Sequence, residues 1–337
     1  MLGISTVGGT LVKRGPPWHP AVAASWGSLG AVRVLVTGAE GFVGRALVPR
    51  LRAAGAEVGA FDRELDVTDA ERLRQAVRDA RPDAIVHLAA VSSVTEAEED
   101  AARAFRVNYL GSRAVLDAAL AFAPHARVLL VSSSTVYGAS APGAAPFDER
   151  APLRPGDTYA RSKAAADLLG AAYATRGVDV VRARPWNHTG AGRPDRFVES
   201  SFARQLIEID AGLRRPRIAV GSLDSLRDFL HVADVIEAYV ALLAPGVAPG
   251  AYNVASGRGV TIRALLEMLF AQTGLRPEVV IDPARVRPPD ASVGSAAKLA
   301  RATGWAPRRT LEEALTELLD DWRAQITSET RQKVAHP

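Results

Sequence analysis

The chain has 337 residues with 41 Lys and Arg against 37 Asp and Glu, so its formal net charge is only +4. The absence of cysteine excludes disulfides, thiolate chemistry and cysteine-based zinc sites, and the six histidines are too dispersed to form an evident metal cluster. Aromatic residues are few and no basic stripe stands out, which disfavours nucleic-acid binding. No apolar run reaches membrane-spanning length.

Residues 1–30 differ from the rest of the chain because they are rich in Gly, Pro and Ser and lack sustained periodicity. We expect this segment to be a disordered N-terminal extension. Its apolar stretches are too short and badly placed for a convincing signal peptide, and we expect a cytoplasmic protein. Beyond it, apolar strands alternate with helical stretches, which predicts an α/β fold with a parallel sheet.

A glycine-rich turn joins the first predicted strand, AVRVLV, to the first predicted helix. Its glycines are Gly38, Gly41 and Gly44, and the helix opens with Phe42 and Val43. Glycines at such a turn let the backbone approach a pyrophosphate, which then sits on the amides of the helix N-terminus. The second strand, EVGAF, ends in Asp62, placed to accept hydrogen bonds from the adenosine ribose. Strand, turn, helix, strand and acid together predict a dinucleotide site.

The choice of dinucleotide depends on two neighbouring residues with opposite charges. Asp62 favours NAD because a carboxylate repels a 2′-phosphate, whereas the guanidinium of Arg63 would bind that phosphate bidentately. Arg63 is equally well explained as a solvated loop residue. The sequence therefore favours NAD and leaves NADP open.

The segment from Ser132 to Lys163 predicts the reaction chemistry. An apolar strand runs into SSSTVYG, and TYARSK follows, with Tyr159 and Lys163 one helical turn apart and therefore on one face. A lysine near a phenol lowers the phenol pKa and makes tyrosine a proton donor or acceptor near neutrality. With Ser133 as a hydroxyl partner, this set of residues can move a hydride and a proton at a carbinol carbon.

Over residues 32–325 the sequence resembles the extended short-chain dehydrogenase/reductase family, in its nucleotide-sugar branch. The resemblance is carried by TGAEGFVG, LDVTD, IVHLAA, NYLGS, SSSTVYG, YARSK, RPWNHTGAGRPDRFV, RDFLHVADV and YNVASGRGVTI. It implies a doubly wound parallel sheet of the Rossmann type with a smaller C-terminal substrate-binding lobe. Within the branch, NHTGAGRPDRFV is most similar to the group of GDP-mannose dehydratases and GDP-4-keto-6-deoxymannose reductases.

The resemblance also implies roles for individual residues. Around the cofactor it places residues beyond the glycine turn: Asp66, Val67, Leu88, Ala89, Ala90, Asn108, Tyr159, Lys163, His188 and Arg193. Around a nucleotide-diphosphate sugar it places Ser134, Thr135, Asn187, Val198, Arg227 and Arg287. Two arginines suit a diphosphate because the guanidinium fork binds phosphate oxygens bidentately. For Asp66 a turn or cap role is the plain structural alternative.

Thr135 separates the reactions of the branch. Sugar-nucleotide 4,6-dehydratases place a Glu there as a base, and a threonine hydroxyl has far too high a pKa for that task. We therefore expect an NAD(P)H-dependent 4-keto reductase of a nucleotide-activated 6-deoxysugar, with GDP-4-keto-6-deoxymannose as the favoured substrate. A 4-epimerase would use the same Ser133, Tyr159 and Lys163. A non-catalytic NAD(P)-binding sensor is the remote alternative.

Other positions depart from the family pattern, and the departures lie around the sugar and nicotinamide. Asp157 and Thr158 stand where Ser-Pro is usual, Trp186 replaces a usual Phe, and His231 stands where Asp is frequent. Asp157 is a candidate helix cap, but a carboxylate close to Tyr159 would raise the phenol pKa.

The domain organisation is expected to have two lobes. The NAD(P)-binding domain is assigned to residues 31–186 and about 218–257, and the nucleotide-sugar-binding lobe to residues 187–217 and about 258–327, with a tail at 328–337. The alanine-rich helix that carries YARSK implies, by the resemblance, a homodimer through a four-helix bundle.

Overall fold

The structure, a computed structural model, describes residues 32–141 and 143–335. The extension expected at residues 1–30 lies outside the described residues. The strands are β1 (Arg33–Thr37), β2 (Glu57–Phe61), β3 (Ala84–His87), β4 (Arg127–Val131), β5 (Val180–Pro185), β6 (Asn187–Thr189), β7 (Arg217–Val220), β8 (Leu226–His231), β9 (Gly250–Val254), β10 (Gly259–Thr261), β11 (Glu278–Ile281) and β12 (Ala291–Ser292).

The α-helices alternate with these strands. They are α1 (Phe42–Ala53), α2 (Ala70–Ala80), α3 (Val94–Glu99), α4 (Ala101–Phe105), α5 (Ser112–Phe122), α6 (Thr158–Ala174), α7 (Val198–Asp210), α8 (Val232–Leu242), α9 (Ile262–Thr273), α10 (Ala297–Thr303) and α11 (Leu311–Ala335). A π-helical segment, Arg106–Gly111, precedes α5, and 3-10 turns occur at Ser134–Tyr137 and Pro283–Arg285.

Six strands form a parallel sheet in the order β2-β1-β3-β4-β5-β9. Their apolar runs are buried because helices cover both faces, as is usual for parallel sheets. Helices α1 and α8 pack on one face, and α2, α5 and α6 pack on the other. The predicted α/β fold with a parallel sheet is confirmed. The order in which successive strands are added reverses between β1 and β3, and in such sheets ligands bind at this switch point, beyond the carboxyl ends of the strands.

A smaller sheet is centred on β8, which pairs with β6 and β12 in parallel and with β10 antiparallel. β7 and β11 form a separate parallel pair. Helices α7, α9 and α11 enclose the hydrophobic core of this part of the chain. Leucines at helical spacing lie in that core, namely Leu265, Leu266, Leu269, Leu315, Leu318 and Leu319, and the partly buried Leu311 packs against it.

The course of the chain between the two sheets is more interwoven than the sequence suggested. In the segment assigned to the cofactor domain at about 218–257, α8 and β9 do pack with the central sheet, but β8 lies in the smaller one. Helix α11 continues to Ala335, through residues that the sequence analysis assigned to a tail. The domain boundaries themselves stay a prediction.

A buried carboxylate holds α6 against β5. Asp167 is 0% exposed, and its oxygens accept from Nε and Nη2 of Arg184 at 2.8 and 2.7 Å and from Nη1 of Arg182 at 2.7 Å. Nη1 of Arg184 also donates to the Tyr137 hydroxyl at 2.7 Å, and that hydroxyl donates to Asn253 at 2.7 Å. Burial raises the pKa of Asp167, but the two arginines outweigh it and leave the pKa below its usual range.

Replacing Asp167 with Asn should destabilise the protein strongly, because two guanidinium groups would lose their counter-charge in the interior. We expect a loss of about 3–5 kcal/mol in the free energy of unfolding, measured by urea denaturation. Because the folded-state pKa is depressed, the contribution of Asp167 is present above its unfolded pKa of about 4 and is lost as the pH falls through the folded value.

The matched control is Asp320→Asn, which removes an exposed ion pair with Arg323 on α11. Its unfolding midpoint should stay within error of the parent chain. A loss for Asp167→Asn no larger than that of the control would show that the buried network does not hold α6 in place.

Candidate active site

The glycine turn between β1 and α1 lies against the end of β3. Gly38 has φ +71°, and a Cβ atom there would lie 2.6 Å from the backbone nitrogen of Ala89. A Cβ at Gly44 would collide with the carbonyl oxygen of Gly38. Gly41 precedes α1 without a side-chain cap, so the first amides of the helix, including those of Phe42 and Val43, are not satisfied by a capping side chain. Only glycine leaves this turn close to Leu88–Ala90 and open to a pyrophosphate.

The end of β2 carries the acidic side of the predicted adenosine site. Oδ2 of Asp62 accepts from the backbone N–H of Glu40 at 2.7 Å, and Oε1 of Glu64 accepts from the N–H of Asp62 at 2.9 Å. These three carboxylates line a cavity of about 230 Å³ together with Arg45. Arg63 is exposed beside it.

Three further residues predicted at the cofactor make internal contacts. Oδ1 of Asp66 accepts from the backbone N–H and the hydroxyl of Thr68, both at 2.8 Å, which is a turn-capping arrangement. Val67 is buried and packs against Gly111. Asn108 is buried and binds the backbone of Val91 and the Ser162 hydroxyl. Asn108 thus links the segment after β3 to helix α6.

Ser133, Tyr159 and Lys163 come together beyond the carboxyl end of β4. Ser133 caps the 3-10 turn that follows it, and Tyr159 and Lys163 are one turn apart on α6. The Ser133 hydroxyl acts on the Tyr159 phenol as a hydrogen-bond partner that lowers its pKa, so the two side chains lie close together. The ammonium of Lys163 is buried and donates to the carbonyl oxygen of Val131 at 2.5 Å.

The pKa values of these groups follow mainly from burial. Burial raises the pKa of Tyr159 and Asp157 adds to the rise, while the hydrogen bond with Ser133 and the charge of Arg193 oppose it. The net direction is opposite to the lowering expected from Lys163. Burial lowers the pKa of Lys163 itself to about 8, against the charge of Asp167. The sequence could not give this result, because it does not show how far each group is removed from water.

His188 and Arg193 meet the glycine turn from the other side. The His188 ring stacks on Phe42 with centroids 5.9 Å apart, and its Nδ1 bonds the carbonyl oxygen of Trp186 at 2.8 Å. The Arg193 guanidinium lies 5.2 Å from the Phe42 ring centroid and pairs with Glu199 at 3.0 Å. Burial, helped by the charge of Arg193, lowers the pKa of His188 to about 4.

The residues predicted to bind the substrate occupy several elements. Ser134 and Thr135 lie in the 3-10 turn, and Val198 begins α7. Nδ2 of Asn187 donates to the carbonyl oxygen of Asp228 at 3.1 Å, so β6 presents it next to β8. Arg227 pairs with Asp290 at 2.7 Å. The guanidinium of Arg287 donates to the carbonyl oxygens of Ala284 and Val286 in its own loop. Arg227 and Arg287 therefore bind different partners in this structure.

The residues that depart from the family pattern each make a defined contact in the structure. Oδ1 of Asp157 caps α6 by accepting from the N–H of Ala160 at 2.7 Å, while its charge also raises the pKa of Tyr159. Trp186 is buried and stacks on Tyr137. Nδ1 of His231 accepts from the N–H of Ala233 at 3.1 Å, so this residue caps α8.

Sequence reasoning missed two acidic residues that support the site. Oε1 of Glu98 accepts from the N–H of Thr158 at 2.8 Å, and Glu199 balances the buried charge of Arg193. The sequence did contain a sign that an acceptor is needed here. Thr158 replaces a usual proline, so it brings a backbone N–H that needs a hydrogen-bond partner, and Glu98 supplies it. The pairing of Glu199 with Arg193 had no comparable signal in the sequence.

Within residues 32–141 and 143–335, no group of three or more potential ligands is arranged to hold a metal ion. No helix in that part of the chain is both long and apolar enough to cross a membrane.

The sequence profile described as the NAD dependent epimerase/dehydratase family matches residues 34–255. The chain is 39% identical over 302 residues to the GDP-6-deoxy-D-mannose reductase of Pseudomonas aeruginosa. The match covers 88% of this chain and 99% of that protein. It is 31% identical over 308 residues to a UDP-glucose 4-epimerase of Streptomyces lividans, covering 82% of this chain and 92% of the relative.

Solved structures also superpose on most of this chain. RMD from Pseudomonas aeruginosa complexed with NADPH superposes with a TM-score of 0.81 at 38% identity, over 88% of this chain and 100% of that one. The UDP-glucose 4-epimerase of Thermus thermophilus in complex with NAD superposes with a TM-score of 0.78 at 31% identity, over 87% and 99% of the two chains.

These similarities confirm three predictions made from the sequence: the Rossmann-type fold, an enzyme of the nucleotide-sugar branch, and NAD or NADP as the coenzyme. With the profile matching residues 34–255, the chain belongs to the NAD dependent epimerase/dehydratase family, the extended short-chain dehydrogenase/reductase group that its motifs predicted.

Proposed function

We propose that the protein is an NAD(P)H-dependent 4-keto reductase of a nucleotide-activated 6-deoxysugar, with GDP-4-keto-6-deoxymannose as its substrate. The observation that carries this proposal is that Ser133 interacts with Tyr159 near the carboxyl end of β4, while Lys163, one turn along α6, donates to the carbonyl oxygen of Val131 in that strand. The choice of sugar nucleotide rests on the 39% identity with a GDP-6-deoxy-D-mannose reductase.

The residues fit a nicotinamide dinucleotide. The glycine turn is a cradle that a Cβ at Gly38 or Gly44 would fill, and Asp62, at the end of β2, is proposed to bind the adenosine ribose. When bound, the nicotinamide supplies the hydride for C4 of the sugar. Lys163 is proposed to bind the nicotinamide ribose next to Tyr159.

Tyr159 is suited to donate the proton that accompanies this hydride. Its raised pKa keeps the phenol protonated near neutrality, which a general acid requires. Once the proton has moved to the C4 oxygen, the Ser133 hydroxyl and the charge of Arg193 favour the phenolate that remains. Ser133 can also donate to the C4 oxygen, where charge develops only as hydride arrives, so this contact would act on the transition state.

Dehydration is disfavoured because Thr135 offers no base at the position where dehydratases have Glu. A 4-epimerase remains the second candidate, since it would use the same three residues and relatives with that activity match the chain. Asn187, Arg227 and Arg287 are proposed to hold the diphosphate. For Arg227 and Arg287 this requires giving up present contacts with Asp290 and with loop carbonyls.

The first test mixes the purified protein with GDP-4-keto-6-deoxymannose and NADH or NADPH and follows the absorbance of the reduced nicotinamide. We expect oxidation of the coenzyme, and a loss of about 10²–10⁴-fold in kcat for Tyr159→Phe, because the proton donor is removed. Coenzyme binding should persist in that variant.

The matched control is Tyr173→Phe, which removes a phenol from the same helix at its hydrogen bond with Asp117 and should leave kcat within about twofold. No oxidation with either coenzyme would overturn this substrate assignment, and interconversion of UDP-glucose and UDP-galactose would favour the epimerase. Turnover unaffected by Tyr159→Phe would contradict the assigned proton donor.

We further propose that NADH is preferred, because Asp62, Glu40 and Glu64 line the cavity in which we expect the adenosine ribose to bind. Replacing Asp62 with Asn should weaken NADH binding about tenfold, about 1.4 kcal/mol, and should weaken NADPH binding less. The measurement is a fluorescence titration of each coenzyme without substrate. Tighter binding of NADPH by the parent chain, abolished by Arg63→Ala, would instead assign a 2′-phosphate contact to Arg63.

A homodimer through α5 and α6 is part of the same proposal. Leu110, in the π-helical segment before α5, and Leu168, on α6, are 45% and 58% exposed, and α6 is rich in alanine, which allows close helix contact. Leu168→Arg should convert a dimer to a monomer in sedimentation, whereas Leu213→Arg, at an equally exposed leucine after α7, should not. A parent chain that sediments as a monomer would refute the dimer.

The cytoplasmic location stays a prediction.

A further inference from the structure

The hydroxyl of Ser133 has both of its acceptor positions occupied by one neighbouring residue. Its Oγ accepts from the backbone N–H of Thr135 at 3.2 Å and from the Thr135 hydroxyl at 2.9 Å. A serine hydroxyl has two acceptor lone pairs and one proton to donate. With both lone pairs engaged, only the donor function of Ser133 remains available for other groups.

We propose that Thr135 is a positioning residue that fixes Ser133 as a hydrogen-bond donor toward Tyr159 and toward the substrate oxygen. The inference rests on the proposed reductase function. Without the Thr135 hydroxyl, Ser133 would regain an acceptor position and could receive the proton of Tyr159 in a hydrogen bond. Thr135 thus keeps that proton for the substrate, and its own atoms need not touch the reacting carbon.

The 3-10 turn makes this arrangement possible. Ser133 precedes the turn in an extended conformation, so its side chain points back over the amide of Thr135. Thr135 is half-buried, and the turn places its hydroxyl beside Ser133. A valine would keep the branched shape at this position and remove only the donor. A serine would keep the donor and remove only a methyl group.

Several charged or titratable groups act on Tyr159 from the surrounding elements. Arg193 approaches from the segment before α7, Asp157 from the start of α6, and Tyr239 from α8, while Lys163 lies one turn further along α6. None of these groups is altered by a substitution at Thr135. A change in the titration of Tyr159 in a Thr135 variant would therefore report on Ser133.

The experiment compares Thr135→Val with Thr135→Ser in the complete protein. For Thr135→Val we expect kcat to fall about fivefold to tenfold with little change in KM, because one oriented hydrogen bond in the transition state is weakened. The alkaline limb of the kcat profile, where Tyr159 loses its proton, should move to higher pH by about half a unit to one unit. Thr135→Ser should recover most of both changes.

A measurement without substrate separates this proposal from the proposed function. The phenolate absorbance of Tyr159 is titrated in the parent chain and in Thr135→Val, with the Tyr159→Phe form of each subtracted. A higher pKa in Thr135→Val supports the positioning role even if the parent chain does not reduce GDP-4-keto-6-deoxymannose. An unchanged titration, or a Thr135→Val variant whose kcat and pH profile match the parent chain, would overturn it.

Discussion

The arrangement of the site depends on the buried carboxylate of Asp167. A charge removed from water is tolerated only when its partners are close and well oriented, and Arg182 and Arg184 both supply such contacts from β5. Because Asp167 lies one turn beyond Lys163, this pairing fixes the face of α6 that carries Lys163 and Tyr159. Arg184 also holds Tyr137, the last residue of the 3-10 turn that begins beside Ser133. One carboxylate therefore positions both parts of the proposed catalytic set.

The electrostatics around Tyr159 favour a protonated phenol before proton transfer and stabilise the phenolate that remains afterwards. Burial dominates the titration of Tyr159 and keeps it protonated, while Ser133 and Arg193 act in favour of the phenolate. Arg193 can remain charged in this interior because Glu199 balances its charge. Its guanidinium also makes cation–π contacts with the rings of Phe42 and Phe197. The same guanidinium helps to keep His188 neutral.

Departures from the family pattern are balanced locally in this chain. Thr158 brings an N–H where proline has none, and Glu98 of α3 accepts from it. Thr135 removes the base that dehydration would need, and its hydroxyl bonds Ser133 instead. His231 replaces a frequent Asp as the residue before α8 and still caps the helix through Nδ1. Two of these exchanges keep a backbone N–H satisfied and the third gives the new hydroxyl a side-chain partner, so the fold tolerates them.

The sequence by itself determined the alternation of strands and helices, the glycine turn, Asp62 and the shared helix face of Tyr159 and Lys163. These features are local, because they depend on periodicity and spacing along a short stretch of chain. Only the tertiary structure decided that Glu199 pairs with Arg193 over Phe42, that Arg287 contacts its own loop, and that the pKa of Tyr159 is raised. Side-chain direction and distance from water decide those outcomes, and both arise only when segments distant in sequence pack together.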